Sequence, residues 1–176
     1  MKTSIELERD AALHVVSLMA AAARTAPKTR GLDNIKTVAI DDAASRQTLI
    51  AKMREISTSE NRPGMGRDAG NIEQVPAILV IGVESNPAKL NCGFCNHPTC
   101  EALEAAHGIC AFNSVDLGIA ACSAASVANQ FHIDNRLMYS IGRAALDLRL
   151  FGTGSVQQAL GIPLSVTGKN PFFDRK

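Results

Sequence analysis

Apolar residues recur at helical spacing from Ser4 to Arg24, and this pattern predicts a long first helix. Acidic residues stand near its start, where the positive end of the helix dipole favours them. Thr25-Ala26-Pro27 predicts the end of the helix, because the residue before a proline is disfavoured in the helical conformation. The apolar positions of this helix are Ile5, Leu13, Val16, Met19, Ala20 and Ala23.

The next segments alternate between strand and helix patterns. Ile35 to Ile40 predicts a short strand, and Asp41-Asp42 opens a helix that runs through Ile56. Ser57 to Gly70 combines Asn, Arg, Pro and three glycines with few apolar side chains, so it predicts a mobile loop. Ala77 to Val83 is a continuous apolar run, which is typical of a strand that is covered on both faces.

The second half of the chain predicts three helices and a last strand. The helices are expected over Thr99 to His107, over Ser114 to Phe131, where most residues are small, and within Ile133 to Leu150. The final strand is expected over Ile162 to Thr167. Strands that alternate with helices indicate a layered α+β fold, close to the α/β type. The length suits a single domain, residues 1–176, with its own core.

Composition and charge narrow the partners and the compartment. The chain is 46% apolar with a net charge of +1, so it has no basic surface for nucleic acid or for an anionic membrane. It lacks tryptophan and has one tyrosine, which argues against base stacking. The stretch Ala11 to Ala23 is too short to span a bilayer and follows a charged start. We therefore expect a cytoplasmic protein with reduced thiols and no membrane partner.

Four of the five cysteines lie within residues 91–110 and predict a metal centre. Cys92 and Cys95 flank a turn that contains a glycine, and Cys100 opens a predicted helix whose free N–H groups stabilise a thiolate. Gly108 turns the chain back, so Cys110 can reach the same site. Four thiolates suit either a four-iron–four-sulfur cluster or structural zinc.

Other roles for the cysteines stay open at this point. Zinc is less favoured, because zinc sites commonly have two close pairs of ligands and this site has three cysteines plus one. A disulfide is disfavoured in a reducing compartment. Cys122 is the rival fourth ligand, although its apolar helical surroundings favour a role in the core. His97 lies inside the segment and is expected near the metal or at the surface.

The cysteine segment resembles a known motif. The order Cys-Gly-x-Cys-x-x-x-x-Cys, followed by a helix and a later cysteine, is similar to the four-iron–four-sulfur motif of small ferredoxin-type domains. With the text that follows Cys110, it also resembles a bacterial and archaeal family of ferredoxin-domain proteins of unknown function. The resemblance implies an iron–sulfur cluster with an electron-transfer role.

The rest of the chain resembles the nitroreductase family. The features are the Ala-Pro loop after the first long helix, the order of the strands, Asp-Leu-Gly-Ile-Ala in the Ala-rich helix, and Gly-Ile-Pro in the last strand. This resemblance implies a central sheet flanked by helices, with the cysteine segment as an insertion. It also implies a homodimer with FMN at the interface.

The arginine-rich start with which nitroreductases bind the flavin phosphate is missing here. A substitute exists in the loop after the first helix, where Arg24, Thr25, Lys28 and Arg30 bring three cations and a hydroxyl together. Such groups recognise phosphate. The alternative is a solvated basic loop at a helix C-terminus, which the helix dipole also favours. Lys169 and Arg175, near the end of the chain, are further candidates.

No hydrolase motif, zinc-protease motif or nucleotide-binding loop is present in the sequence. Glu84 and Asp116 can act as acids or bases, but capping and surface roles are favoured. The prediction is thus an iron–sulfur redox protein, with oxidoreductase as the candidate enzyme class, that exchanges electrons with a partner protein or a small acceptor. Bound FMN is a further candidate acceptor. The alternatives are a binding or scaffold module stabilised by zinc or a cluster, and a flavoenzyme whose cysteines are secondary.

Overall fold

Six α-helices and four strands lie along residues 1–173, which are the residues that the computed structural model of the chain describes. The helices are α1 Ser4–Thr25, α2 Ala43–Ser59, α3 Pro63–Asn71, α4 Cys100–Ala105, α5 Ala111–Gln130 and α6 Tyr139–Asp147. The strands are β1 Ile35–Ile40, β2 Ala77–Glu84, β3 Asp134–Asn135 and β4 Val156–Ser165. A short 3-10 helix, Thr29–Gly31, lies between α1 and β1.

The strands form one antiparallel sheet in the order β1-β2-β4-β3. β2 lies inside the sheet, and seven of its eight residues are buried. Its side chains alternate between two cores, with Leu79 and Ile81 in one and Ile78 and Val80 in the other. The expected cover on both faces of this strand is confirmed.

Helices cover the two faces of the sheet in separate layers. α1 and α5 pack on one face, and α2, α3 and α6 pack on the other. This arrangement confirms the predicted layered α+β fold with helices on both sides of the sheet. The predicted bounds of α1 and β1 agree with the structure to within one residue.

The predicted mobile loop over Ser57 to Gly70 is wrong. α2 continues to Ser59, and α3 begins at Pro63, where proline suits the first turn because its missing N–H needs no partner there. Met65 and Ala69 lie four residues apart and are fully buried. A Cβ on Gly66 would lie 2.9 Å from Ser57 Oγ, so glycine lets the two helices pack closely. The pattern of this short amphipathic helix is hard to detect in the sequence, because glycines surround its two buried residues.

The last part of the chain also differs from the prediction. The segment from Ile133 to Leu150 contains the short strand β3 before α6, and β4 begins at Val156 rather than Ile162. α6 crosses β4 at two glycines. A Cβ on Gly142 would lie 1.8 Å from the carbonyl oxygen of Ala159, and a Cβ on Gly161 would lie 2.1 Å from Ile141 Cγ2. Helix and strand can approach this closely only without those two side chains.

α5 is the one helix within residues 1–173 that is long and apolar enough to span a bilayer. In this structure it packs against α1 and the sheet and contributes seven buried residues. Two of them, Asn113 and Asp116, are polar. The helix therefore serves as a core helix of the fold.

Candidate metal centre

The four cysteines predicted as metal ligands line one small cavity beyond the end of β2. Cys100 and Cys110 are buried, Cys95 is half-buried, and Cys92 is exposed. The cavity is therefore closed on the side of the protein interior, and its outer wall at Cys92 faces solvent. Residues from three places in the chain meet here: the loop after β2, the start of α4 and the start of α5.

Two of the four thiols stand at helix N-termini. Cys100 is the first residue of α4, and the preceding Thr99 caps the helix by accepting a hydrogen bond of 3.1 Å from the N–H of Ala102. The N–H of Cys100 donates to Asn91 Oδ1 at 2.8 Å, which ties the helix to the loop. Cys110 occupies the N-cap position of α5. Free N–H groups and the helix dipole stabilise a thiolate at such positions.

The loop that carries the cysteines turns sharply through left-handed backbone conformations. Lys89, Asn91, Gly93 and Asn96 all have φ between 48° and 71°. Glycine and asparagine are the residues that adopt this conformation most readily. The N–H of Asn96 donates to the carbonyl of Gly93 at 2.9 Å, which closes a turn that contains Cys95 and directly follows Cys92.

A small apolar cluster, separate from the two main cores, packs against the buried side of the cavity. Ala88, Leu103 and Cys110 form its centre. A Cβ on Gly108 would lie 2.5 Å from Leu103 Cδ1, so glycine lets the chain pass close to α4 before it reaches Cys110. Phe94, 63% exposed, stacks at a tilt on Phe112, with the ring centroids 5.4 Å apart. The aromatic pair lies beside the cavity.

An exposed ion pair connects the loop with α4. Lys89 Nζ lies 2.6 Å from both carboxylate oxygens of Glu104. The hydrogen bond that Lys89 donates to Glu104 raises the pKa of Lys89 above its ordinary value. Because both groups are exposed, this pair contributes little to stability and serves mainly to fix the loop.

Within residues 1–173, no group of three or more His, Cys, Asp or Glu side chains is arranged to hold a metal ion. The assignment of the four cysteines as ligands therefore remains a prediction. His97 is half-buried and lines the same cavity. Cys122 lies on an exposed face of α5 and does not line the cavity, so its predicted role in the core is wrong. That face of α5 points away from both α1 and the sheet.

Comparison with known proteins places the chain among proteins with a ferredoxin domain. Residues 106–175 match a family described as "Uncharacterized protein containing a ferredoxin domain (DUF2148)". A protein of Archaeoglobus fulgidus, described only as uncharacterized, is 37% identical over 167 residues, which cover 90% of this chain and 88% of the archaeal one. The chain belongs to this ferredoxin-domain family.

Solved nitroreductase structures share the fold of this family member. An FMN-bound nitroreductase of Desulfitobacterium hafniense has a TM-score of 0.57 at 16% identity, covering 99% of this chain and 85% of its own. An FMN-bound nitroreductase of Bacteroides fragilis has a TM-score of 0.60 at 11% identity, with coverages of 93% and 81%. NfrA2 of B. megaterium has a TM-score of 0.59 at 16% identity; 89% of this chain matches, and it spans 58% of that protein. The predicted nitroreductase-like fold is confirmed.

The predicted phosphate-binding loop forms most of its contacts within itself. Arg24 Nε lies 2.7 Å from Asp33 Oδ2, and a second guanidinium nitrogen donates to the carbonyl of Ile35. Thr25 donates to carbonyls of its own helix. Lys28 donates to the carbonyls of Arg24 and Ala26. The phosphate assignment stays a prediction, now with internal partners for three of its four side chains.

The remaining cationic candidates lie elsewhere. Arg30 contacts the cysteine loop, where its guanidinium donates to the carbonyl of Ala88 at 2.7 Å. Lys169 lines a cavity of about 750 Å³ at the opposite end of β2, together with Arg67. Arg175 lies outside the described residues.

Sequence reasoning missed two buried polar contacts beside the cysteine loop. Asp116, 4% exposed, accepts hydrogen bonds from the N–H and the hydroxyl of Thr29, both at 3.0 Å. It thus caps the 3-10 helix, as a capping role predicts, but its predicted surface position is wrong. Asn113 donates to the carbonyl of Asn86 at 3.0 Å. The available signal was two polar residues three apart on the otherwise apolar face of α5.

Glu84 is the other residue predicted to act as an acid or a base. It stands at the end of β2, and its carboxylate lies 3.5 Å from Lys36 Nζ on the neighbouring strand β1. Both side chains are partly exposed, so the pair lies at the surface, as the favoured role predicts. Glu84 is not among the residues that line the cysteine cavity.

Proposed function

We propose that the protein is a cytoplasmic redox protein that holds one four-iron–four-sulfur cluster on Cys92, Cys95, Cys100 and Cys110. The observation that carries this proposal is that all four cysteines line one cavity, although they come from a loop and two helix starts. Membership of a ferredoxin-domain family supports the same chemistry. The proposed role is electron transfer.

The chemistry of the cavity fits such a cluster. Four thiolates are the donor set of a cubane cluster, and soft sulfur ligands select iron–sulfur clusters or zinc over harder cations. Cys100 and Cys110 stand at helix N-termini, whose N–H groups offset the negative charge of thiolates. A bound cluster would supply one-electron transfer, with a potential that depends on burial and hydrogen bonds to sulfur.

The surroundings suggest where electrons enter and leave. Cys100 and Cys110 are buried on the inner side of the site, and Cys110 packs with Ala88 and Leu103, whereas Cys92 faces solvent. Phe94 and Phe112 contact each other and line one flank of the cavity. A donor or acceptor would therefore approach on the side of Cys92.

FMN is the proposed second redox group. The fold is shared with nitroreductases that were solved with FMN bound. The cavity of about 750 Å³ lined by Lys169 and Arg67 has the size of a typical cofactor pocket, and a phosphate there would share Arg67 with Asp68, to which its guanidinium donates two hydrogen bonds. Because this cavity lies at the other end of β2 from the cysteines, in this proposal the flavin would exchange electrons with a small acceptor directly.

We also propose a homodimer that forms through the exposed face of α5. Val115 and Ile119 are 41% and 37% exposed, and Cys122 continues the same face one turn further on. An apolar stripe of this kind is typical of an interface with a second copy.

Val115→Lys and Ile119→Lys together should convert the dimer to monomer in sedimentation experiments, because two charges would then lie in the apolar interface. Sedimentation of the wild type as a monomer would contradict the interface.

Anaerobic purification followed by metal, sulfide and flavin analysis tests the proposed function. The expected result is brown protein with about four iron atoms and four sulfides per chain. Colourless protein with one zinc ion per chain, from cells supplied with iron, would contradict it and favour a zinc-stabilised scaffold. A yellow cofactor that is released on denaturation, without iron, would favour a flavoenzyme whose cysteines are secondary.

A further inference from the structure

Arg30, predicted from the sequence as a phosphate ligand, contacts the wall of the cysteine cavity instead. We propose that Arg30 is a positioning residue for the cluster: its guanidinium holds the loop in front of Cys92 and keeps a positive charge beside the thiolates. This inference rests on the proposed cluster and adds a determinant of its reduction potential.

The contact reaches the cavity through Ala88. The guanidinium of Arg30 donates to the carbonyl oxygen of Ala88 at 2.7 Å. Ala88 is 4% exposed, lines the cavity and packs with Leu103 and Cys110. Arg30 therefore lies one residue away from the site, on the outer side of its wall.

The backbone conformation at Arg30 would suit glycine better than arginine. This indicates that the position needs the arginine side chain. Its φ is 58°, in the left-handed region, and Gly31 follows with φ 69°. Glycine adopts such a conformation at little cost, whereas other residues need surroundings that hold them there. Asp116 accepts a hydrogen bond from the neighbouring Thr29, and the hydrogen bond to Ala88 fixes Arg30 itself.

The charge of Arg30 is not neutralised within the part of the chain that the structure describes. Arg24 lies 2.7 Å from Asp33, and Lys28 lies 3.9 Å from the same carboxylate. Arg30 has no carboxylate within 4 Å among residues 1–173. Arg30 is exposed, so water screens part of its charge, but among residues 1–173 it is the cation of this loop that has no carboxylate partner.

A nearby cation has a definite effect on an iron–sulfur cluster. Reduction adds one negative charge to the cluster and its four thiolates, so a fixed positive charge favours the reduced form and raises the potential. Removal of the charge should therefore lower the potential. Loss of the bond to Ala88 should also loosen the wall and shorten the lifetime of the cluster.

Arg30→Gly separates these effects from folding, because glycine suits the left-handed backbone. Arg149→Gly is a matched control, since Arg149 also has a left-handed φ, 54°, and lies on the loop before β4, away from the residues that line the cavity. Arg30→Lys retains the charge and should recover most of the potential.

The experiment is a redox titration of the anaerobically purified proteins, monitored by visible absorbance and by the spin-resonance spectrum of the reduced cluster. At the potential where half of the wild-type cluster is reduced, Arg30→Gly should contain several-fold less reduced cluster, and Arg149→Gly should match the wild type. The apo form of Arg30→Gly should unfold at or above the denaturant midpoint of the wild type.

Equal potentials for Arg30→Gly, Arg149→Gly and the wild type would overturn the inference and leave the proposed function standing. A wild-type protein that contains no iron would overturn both. The two failures are therefore distinguished at the first step, by the iron content of the wild type.

Discussion

Cys110→Ser should abolish cluster binding, whereas Cys122→Ser should leave it at the wild-type level. Cys110 is buried in the wall of the cavity at the start of α5, so its loss removes one of four ligands from a closed site. Cys122 lies on the same helix but on its exposed face, and it does not line the cavity. Iron and sulfide per chain, with the visible spectrum, measure the difference after anaerobic purification.

The folded state of the variant has to be checked separately, because Cys110 also belongs to the small apolar cluster under the loop. Cys110→Ala keeps that position apolar and should lose the cluster as Cys110→Ser does. Far-ultraviolet circular dichroism should show the same helix content for both apo variants as for the apo wild type. Retention of full iron content by both variants, together with loss in Cys122→Ser, would show that the fourth ligand is misassigned.

Gly142→Ala should destabilise the fold by about 3 kcal/mol or more, an unusually large effect for one methyl group. The new Cβ would lie 1.8 Å from the carbonyl oxygen of Ala159, which is backbone in the middle of β4. A backbone oxygen cannot rotate away as a side chain does. α6 must therefore move off the sheet, with a loss of packing for Ile141 on the same helix.

Gly118→Ala is the matched control, because Gly118 is also helical and a Cβ there meets nothing within 4 Å. That substitution should stabilise α5 by up to about 1 kcal/mol, since alanine has the higher helix propensity. Urea denaturation of both apo variants measures the free energies of unfolding. Equal stabilities for the two variants would contradict the close helix–strand contact.

The regular elements with a strong apolar pattern were predictable from the sequence. β2 is a run of apolar residues because both of its faces are covered, and α1 shows a clear helical period because one of its faces meets the sheet. α3 was missed because its buried face consists of only Met65 and Ala69, surrounded by glycines. Close contacts between elements distant in the chain, such as Gly142 with β4, leave no local pattern.

The candidate site was predictable to the same extent. The spacing of Cys92, Cys95 and Cys100 indicates one centre, because a turn and a helix start lie between them. The interior or exterior position of Cys122 depended on which face of α5 meets the sheet, and a helix of small apolar residues does not reveal this. The contacts of Arg30 with Ala88 and of Thr29 with Asp116 join distant segments, so only the fold shows them.

Native mass spectrometry of the anaerobically purified chain tests the central claim most directly, because it weighs the intact protein with whatever it holds. The account predicts that each chain carries the added mass of one four-iron–four-sulfur core. It also predicts that the Cys110→Ser chain lacks this mass and that the Cys122→Ser chain retains it. A wild-type chain that carries no iron–sulfur mass, or that carries a single zinc ion instead, would contradict the account.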